Sequence, residues 1–258
     1  MRRAPTVRCS ARGHESAAEV IISRVHRVRS LATYVFKGIP LRRTRLHNCK
    51  GELIDARGLL HLPHCVGTTI WLKLTGRRPC VPWLGYRAVK RLDALIEPSW
   101  QVLEFGSGMS TIWFARRCSH VVSLETNDGW FAKVRELLER SGVQNVDLRM
   151  CSTADDRDPD YGEALSDHRG SEFDLVLVDG ARRDLAMAVG LTMVKPNGYI
   201  FLDNTDLPNE DCRIAASTLV AAAGPDPPMW VFNEFSPGVV MVNEGTLVRI
   251  GEAPASRP

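Results

Sequence analysis

The stretch from Val102 to Thr111, "VLEFGSGMST", combines an acid, two glycines and small hydroxyl residues. Gly106 and Gly108, with Ser107 between them, fall where an apolar strand pattern gives way to a helical one. Without side chains, glycines let the backbone turn sharply and approach a ligand closely. In open parallel sheets, ligands bind beyond the carboxyl ends of the strands. The stretch therefore predicts a ligand-binding turn, the alternative being a strand that ends in a flexible loop.

Two acids indicate which ligand suits this turn. Glu125 ends the next strand pattern, 17 residues after Gly108, where a carboxylate can accept both hydroxyls of a ribose. A dinucleotide-binding turn has a third glycine, but Thr111 stands at that position. Glu104 would repel a pyrophosphate, whereas it would attract the cationic amino acid portion of S-adenosylmethionine (SAM). These residues favour SAM over a nicotinamide dinucleotide.

Strand and helix patterns alternate from Gln101 onward, so the elements that position these residues can be predicted. Strands are predicted at Gln101–Phe105, His120–Glu125, Val146–Met150, Phe173–Asp179, Tyr199–Asp203 and Met229–Phe235, followed by a last β-rich run. Helices are predicted at Ser110–Arg117, Gly129–Arg140, Arg183–Val194 and Asn209–Ala223, with another before the first strand. The alternation predicts an α/β, Rossmann-like, seven-stranded and mostly parallel sheet with helices on both faces. The last two runs have no helix between them, which predicts an antiparallel final strand.

Four ordered segments make the chain resemble the class I SAM-dependent methyltransferases. They are "LEFGSG" at the glycine turn, "VVSLE" at the second strand, "FDLVLVDG" at the fourth and "VKPNGYIFLDN" leading into the fifth. The antiparallel end of the predicted sheet also fits that family. The resemblance covers roughly residues 83–250, which we predict to be a methyltransferase domain.

The resemblance implies how the turn and the acids would hold SAM. Glu125 is implied to bind the ribose. The methionine portion is implied to lie against Glu104, Gly106, Ser107 and Gly108. Asp155 or Asp156, after the third strand, could approach the adenine, although a solvated loop is the favoured interpretation for both.

Residues at the ends of the fourth and fifth strands are candidates for catalysis. Methyl transfer is an in-line displacement, and a hydroxyl acceptor must also lose its proton. Asp179 and Asp203 are the predicted catalytic residues, and Asp179 is also predicted to contact the cofactor. With Asn204 they form an oxygen set that suits Mg²⁺. This set resembles the divalent-metal-dependent O-methyltransferases of the catechol and caffeoyl-coenzyme A type.

The match to the metal-dependent enzymes is incomplete. In the catechol enzymes a lysine three residues beyond the first Asp acts as the base, but Arg182 stands there and stays protonated. Asp179 could then contact the cofactor or acceptor directly, and Arg182 or Arg183 could grip an anionic substrate. The alternative to a metal site is that Asp203 and Asn204 cap the turn after the fifth strand.

The N-terminal part of the chain is strongly basic. Residues 1–50 carry 12 Lys and Arg against 2 Asp and Glu, whereas the rest carries 21 against 28. We predict a basic extension over 1–82, with 1–15 disordered or an organelle-targeting segment and 16–36 an amphipathic helix. Packing of this helix on the main domain is favoured over contact with a membrane surface, and a homodimer contact is a further interpretation. Residues 251–258 are predicted to be a tail.

Composition narrows the class of protein. The chain has 44% hydrophobic and 24% charged residues and no apolar run long enough to span a membrane. Its seven cysteines include no C-x-x-C pair, which favours a reducing compartment, and we predict a cytoplasmic protein. His61, His64 and Cys65, with two similar residues upstream, match no standard zinc spacing, and packing roles are favoured.

The sequence thus predicts a SAM-dependent methyltransferase acting at an oxygen of a small-molecule or sugar-like acceptor. Trp83 and Tyr86, just before the first strand, are the aromatic residues expected to cover the pocket. No nucleic-acid-binding module is visible. The rival interpretations are a non-catalytic binding or scaffold protein with the same sheet and a nicotinamide-dependent oxidoreductase.

Overall fold

A computed structural model of the chain describes residues 38–151, 158–168, 173–224 and 226–251. The helix predicted over 16–36 lies outside the described residues, as do Asp155, Asp156 and most of the predicted tail. None of the helices in the described residues has the length and apolar character that crossing a bilayer requires.

Seven strands form one sheet in the order β3-β2-β1-β4-β5-β7-β6. Their bounds are β1 Gln101–Phe105, β2 His120–Glu125, β3 Val146–Met150, β4 Phe173–Val178, β5 Val194–Asp203, β6 Met229–Ser236 and β7 Val239–Arg249. Strand β7 runs antiparallel to both of its neighbours, and the other strand pairs are parallel. The predicted fold class is confirmed.

The described helices flank these strands in an alternating chain order. Their bounds are α1 Ala56–Leu59, α2 Leu62–Thr75, α3 Tyr86–Leu95, α4 Met109–Ala115, α5 Asp128–Ser141, α6 Tyr161–Ala164, α7 Arg183–Met193 and α8 Glu210–Ala223. A 3₁₀ turn covers Ser166–His168.

The fourth and fifth strands differ from the prediction at their ends. Strand β4 stops one residue before Asp179. Strand β5 begins at Val194, five residues before the predicted start at Tyr199, because Val194 already pairs with Phe173. A register irregularity follows, and Asn197 adopts a positive φ of 64°. The turn-like "KPN" sequence therefore lies within the strand as an irregular segment rather than before it.

Both faces of the sheet are buried under helices, as the nearly continuous apolar runs in its parallel strands predict. Neighbouring residues of β1 point to opposite sides. Leu103 packs in a cluster with Met187 of α7, and residues of α8 belong to the same cluster. Val102 packs with Leu92 of α3 and Phe114 of α4. The carboxyl ends of the strands are thus held by a core on each side.

Residues 38–82, whose sequence pattern is hard to interpret, pack on the last strand. Arg42 Nε donates to the carbonyl of Val242 at 3.1 Å, and the amide of Val242 donates to the carbonyl of Arg45 at 3.0 Å. In α2, Cys65 is fully buried, and its thiol donates to the carbonyl of Val239 at 3.1 Å. The segment is therefore fixed to β7.

The histidines considered for zinc have a different environment. His61 and His64 stack on Tyr86, with ring centroids 5.2 Å and 4.8 Å away. Among the described residues, no cluster of three His, Cys, Asp or Glu side chains could hold a metal. The packing interpretation of "HLPHC" is the one that these contacts support.

A buried carboxylate attaches α3 to the edge strand β6. Glu234 is fully buried, and its Oε1 accepts hydrogen bonds from the amides of Arg87 at 2.8 Å and Ala88 at 3.0 Å. Its Oε2 accepts from Arg87 Nε at 2.9 Å. Glu234 satisfies amides in the first turn of α3, which are otherwise left without partners inside the helix.

Candidate cofactor site

A cleft of about 330 Å³ opens at the carboxyl ends of β1, β2 and β4. This volume lies within the range of ordinary small-molecule pockets. The glycine turn, the end of β2 and the turn after β4 form much of its lining, through Gly106, Ser107, Gly108, Glu125, Asp179 and Gly180. The structure therefore brings together five of the residues that the sequence predicts to bind a cofactor.

Glycine stands at the two positions of the turn for different structural reasons. Gly106 has a φ of +99°, and a Cβ there would lie 2.7 Å from the carbonyl oxygen of Asp179, so a side chain would be both strained and obstructed. Gly108 has an extended φ of 174°, and the nearest atom to an added Cβ would be 3.9 Å away. The backbone therefore requires glycine at Gly106, whereas at Gly108 the missing side chain leaves open space beside the cleft.

Glu125 is buried at the end of β2 and held by three backbone amides. Its Oε2 accepts from the amide of Ser107 at 3.1 Å, and its Oε1 accepts from the amides of Thr126 and Asn127, both at 2.9 Å. These bonds orient the carboxylate along the cleft and tie it to the glycine turn. Each oxygen keeps capacity for a further donor.

Glu104 lies beneath the glycine turn rather than in the lining of the cleft, so it is not placed as the resemblance implies. It is fully buried, and its Oε2 accepts from Thr111 Oγ1 at 2.5 Å and from Ser123 Oγ at 2.6 Å. Thr111 Oγ1 in turn accepts from the amide of Gly108 at 2.9 Å. Thr111, at the place of a third glycine, thus connects the turn to Glu104.

The environment of Glu104 favours its protonated form. Its Oε1 is buried and has no hydrogen-bond partner among the described residues. Burial raises the pKa of Glu104 to about 7, although the hydroxyl groups that donate to it oppose the shift. Glu104 therefore carries at most part of a negative charge near neutral pH.

Aromatic residues and an arginine line another side of the cleft. Trp130 of α5 donates from Nε1 to the carbonyl of Ser107 at 2.7 Å. The guanidinium carbon of Arg78 lies 3.9 Å from the ring centroid of Trp83 and 4.7 Å from that of Trp130. Trp83 is thus in the lining, as expected, whereas Tyr86 contacts Thr68 and the two histidines instead.

An arginine connects the polar residues that follow β4 and β5. Arg183 Nη2 donates to Asp179 Oδ1 at 3.1 Å and to Asn204 Oδ1 at 2.9 Å. The side chain of Arg183 is 14% exposed and that of Asp179 29%. Within the described chain, Asp179 lines the cleft, and Asp203 and Asn204 are not part of that lining.

The carboxyl groups of Asp179 and Asp203 also contact each other. Burial, together with the nearby charge of Asp179, raises the pKa of Asp203 well above its usual range. Burial raises the pKa of Asp179 as well, but the Arg183 guanidinium opposes this. Asp203 therefore keeps a proton and donates it to Asp179, which carries the charge that Arg183 balances.

Comparison with known proteins gives a fold match without a sequence match. No protein-family model and no curated protein matches the chain. Cofactor-bound Rv0187 from MTB is 20% identical, with a TM-score of 0.51 over 77% of this chain and 92% of that one. An O-methyltransferase from Bacillus cereus in complex with SAH is 16% identical, with a TM-score of 0.54 over 76% and 97%.

A third structure belongs to the same group. TomG, an O-methyltransferase from Streptomyces achromogenes involved in tomaymycin synthesis, was solved with SAM. It is 16% identical, with a TM-score of 0.51 over 72% of this chain and 88% of that one. The chain has the SAM-dependent methyltransferase fold. In this fold the cleft at the glycine turn is the candidate cofactor site.

The metal site that the resemblance implies for such a methyltransferase does not fit these residues. Mg²⁺ binds ionised or carbonyl oxygens at about 2.0–2.1 Å in a near-octahedral set. Here Arg183 Nη2 already donates to Oδ1 of Asp179 and to Oδ1 of Asn204, two of the oxygens that would face the ion. A guanidinium thus supplies the positive charge at the place predicted for a divalent cation.

Sequence reasoning missed Arg78 and treated Arg183 as one of two alternatives. Arg78 lies in a segment without a clear periodic pattern, and nothing in its neighbours indicated that it reaches the cleft. Arg183 lies four residues after Asp179, at the first position of α7, and the loop between them brings the two side chains together. Arg182 instead pairs with Asp184 at 2.8 Å, so the two adjacent arginines have separate partners.

Proposed function

We propose that the protein is a SAM-dependent methyltransferase that transfers a methyl group to an oxygen of a small-molecule or sugar-like acceptor. The observation that carries this proposal is the orientation of Glu125 by three backbone amides, beside a glycine turn, in a methyltransferase fold. A fixed carboxylate at the end of β2 suits the two hydroxyls of a ribose.

The cofactor would lie along the carboxyl ends of β2, β1 and β4. Glu125 would accept hydrogen bonds from the ribose, while Gly106, Ser107 and Gly108 would let the rest of the ligand approach the backbone. Asp179, at the other end of the cleft lining, would face the region that receives the acceptor. Glu104 would not contact the cofactor; it would hold the glycine turn in place through its hydrogen bond with Thr111.

Asp179 is the proposed general base. The acceptor O–H bond breaks as its proton passes to the Asp179 carboxylate, and the oxygen forms a bond to the methyl carbon of SAM. The bond between that carbon and sulfur breaks, and its electron pair stays on sulfur, which leaves S-adenosylhomocysteine (SAH). Arg183 would stabilise the charge that develops on the acceptor oxygen, and Asp203 would orient Asp179.

Calorimetric titration with SAH tests the cofactor assignment. We expect the wild-type protein to bind SAH and Glu125→Ala to bind it at least about tenfold more weakly, since a bidentate charged hydrogen-bond partner of the ribose is lost. Glu139→Ala is the matched control, because Glu139 is an exposed acid of α5 that is not among the residues lining the cleft. Its SAH affinity should equal that of the wild type.

The same titration separates the rival functions. Binding of NAD(P) instead of SAH would favour an oxidoreductase. SAH binding that is unchanged in Glu125→Ala would contradict the assignment of Glu125. If SAH binds but no hydroxyl compound in an acceptor screen is methylated, the non-catalytic binding protein becomes the better interpretation.

A further inference from the structure

Arg78 is a cation in the cleft that the proposed reaction does not use. It belongs to the segment between α2 and α3, and its guanidinium lies against the rings of Trp83 and Trp130 at 3.9 Å and 4.7 Å. Trp130 is itself fixed by its hydrogen bond to the carbonyl of Ser107. Stacking on aromatic faces holds an arginine in a defined position while leaving its N–H groups free to donate.

The acids of the cleft do not serve as counter-ions for Arg78. Among the residues that the structure describes, Arg78 forms no ion pair, whereas Arg87, Arg117 and Arg183 do. Glu125 is held by backbone amides, and Asp179 is paired with Arg183. Arg78 is exposed on the cleft side of this segment, and the two aromatic rings remove part of its hydration, which lowers its pKa. Its N–H groups are therefore available to an anionic ligand in the cleft.

The charged residues near Arg78 are mostly basic, with Arg77, Lys133 and Arg140 against one acid, Glu136. A neighbouring cavity of about 580 Å³ shares Arg78, Met109 and Trp130 with the cleft and extends to Lys133. The ammonium of Lys133 lies 5.9 Å from the ring centroid of Trp130. The cleft is therefore positive near Arg78 and carries acids at its Glu125 and Asp179 sides, so it presents a polarised surface to a ligand.

We propose that Arg78 binds the carboxylate of the amino acid portion of SAM. This inference rests on the proposed function and adds a subsite to it. SAM combines a ribose, a cationic centre and a carboxylate. The cleft offers an oriented acid, a glycine turn and an arginine that forms no ion pair with any residue the structure describes. The planar guanidinium can donate two parallel N–H groups to a carboxylate, which a lysine at this position could not do.

A pair of ligands that differ at the proposed contact provides the test. SAH contains the amino acid carboxylate, whereas 5′-methylthioadenosine keeps the adenosine and sulfur but lacks the amino acid portion. We expect Arg78→Gln to weaken SAH binding by about tenfold or more and to change 5′-methylthioadenosine binding by less than about twofold. Arg78→Lys should give an intermediate loss for SAH.

Arg213→Gln is the matched control, because Arg213 is an exposed arginine on α8 that is not among the residues lining the cleft. It should leave the affinity for both ligands at the wild-type value. Thermal unfolding of each variant checks that the fold is intact before affinities are compared.

The remaining outcomes overturn the proposal in distinguishable ways. An equal loss for both ligands in Arg78→Gln would mean that Arg78 shapes the cleft without contacting the carboxylate. No loss for either ligand would mean that its anionic partner is something other than the cofactor. Failure of the wild-type protein to bind either ligand would instead overturn the proposed function, and the carboxylate subsite with it.

Discussion

At the scale of single residues, Arg183 determines what chemistry the ends of β4 and β5 can perform. Its guanidinium contacts Asp179 and Asn204, two of the three residues whose types suit Mg²⁺. An arginine cannot release its charge to make room for a metal, because it stays protonated in proteins. The same residue types therefore favour a proton transfer at Asp179 without a divalent cation.

We predict that Mg²⁺ does not bind at Asp179, Asp203 and Asn204. A ligand that binds the folded state alone raises the melting temperature, so millimolar MgCl₂ should leave the melting temperature of the protein unchanged. SAH affinity should also be the same with and without EDTA. A Mg²⁺-dependent rise in melting temperature that disappears in Asp203→Asn would contradict this prediction.

Glu104 should make stability depend on pH. Burial raises its pKa from 4.5 to about 7, so between these values the folded protein holds a proton that the unfolded chain has released. The free energy of unfolding therefore falls as the pH rises through this range, by roughly 3 kcal/mol in all. Below pH 4.5 this contribution is fully present, and above pH 7 it is lost.

The substitution Glu104→Gln removes this titration. We expect the variant to lose the part of the pH slope that Glu104 causes, and to gain stability relative to the wild type as the pH rises from 5 to 8. Urea unfolding at several pH values measures how the free energy of unfolding depends on pH. Glu139→Gln, at an exposed position, is the control and should keep the wild-type dependence. An unchanged slope in Glu104→Gln would show that another group titrates.

At the scale of secondary-structure elements, the parallel strands were the most predictable part. Strands β1, β2 and β3 have the predicted bounds, since short apolar or alternating runs between polar turns have few other interpretations. Helix α2 was missed, because it contains Val66, Gly67 and Ile70, residue types that do not favour helices. Its stability comes from packing on β7, a contact that local sequence does not reveal.

In the candidate site, the positions of some residues could be predicted from the sequence and those of others could not. Gly106 and Glu125 lie where a strand-turn-helix pattern places them, since parallel strands bring their carboxyl ends to one edge. The position of Glu104 was not predictable, because the hydroxyls that hold it come from Thr111 and Ser123, on two other elements. Likewise, the local backbone after β4, with Arg182 at a φ of 45°, decides which arginine reaches Asp179.

Helix α3 offers a prediction at this scale. Glu234 of β6 is fully buried, accepts two amides of α3 and pairs with Arg87. Glu234→Ala should lower the free energy of unfolding by about 3 kcal/mol or more, because it leaves Arg87 and the helix amides without these partners. Denaturant unfolding measures the loss.

Glu210→Ala is the control for this substitution, since Glu210 is an exposed acid at the start of α8. Its effect should stay below about 1 kcal/mol. Equal losses for the two variants would show that Glu234 does not hold α3 to the sheet.

At the scale of the whole molecule, residues 38–82 are part of the folded unit and not an independent appendage. Gly38 onward forms one compact unit. Arg42 Nη2 lies 3.2 Å from Asp206 Oδ2, and both side chains are almost completely buried. Asp206 also accepts from the amide of Cys49 at 2.8 Å. The predicted methyltransferase domain, which starts near residue 83, therefore begins inside this unit.

Two truncations test whether residues 38–82 are part of the folded unit. Removal of residues 1–82 should abolish cooperative thermal unfolding, because Asp206 would lose buried partners and β7 would lose the helix that covers it. Removal of residues 1–37 should retain a cooperative transition. Circular dichroism during heating distinguishes the two, and a cooperative transition in the shorter protein would contradict the prediction.

The attachment of residues 38–82 to β7 also constrains how the chain matures on the ribosome. The hydrogen bond from Arg42 to Val242 joins residues 200 positions apart, and β7 follows the other six strands of the described sheet along the chain. Chains emerge from the amino terminus first, so α2 leaves the ribosome long before its sheet partner has been synthesised. Until then its apolar surface is available to chaperones, and completion of β7 is the event that withdraws it.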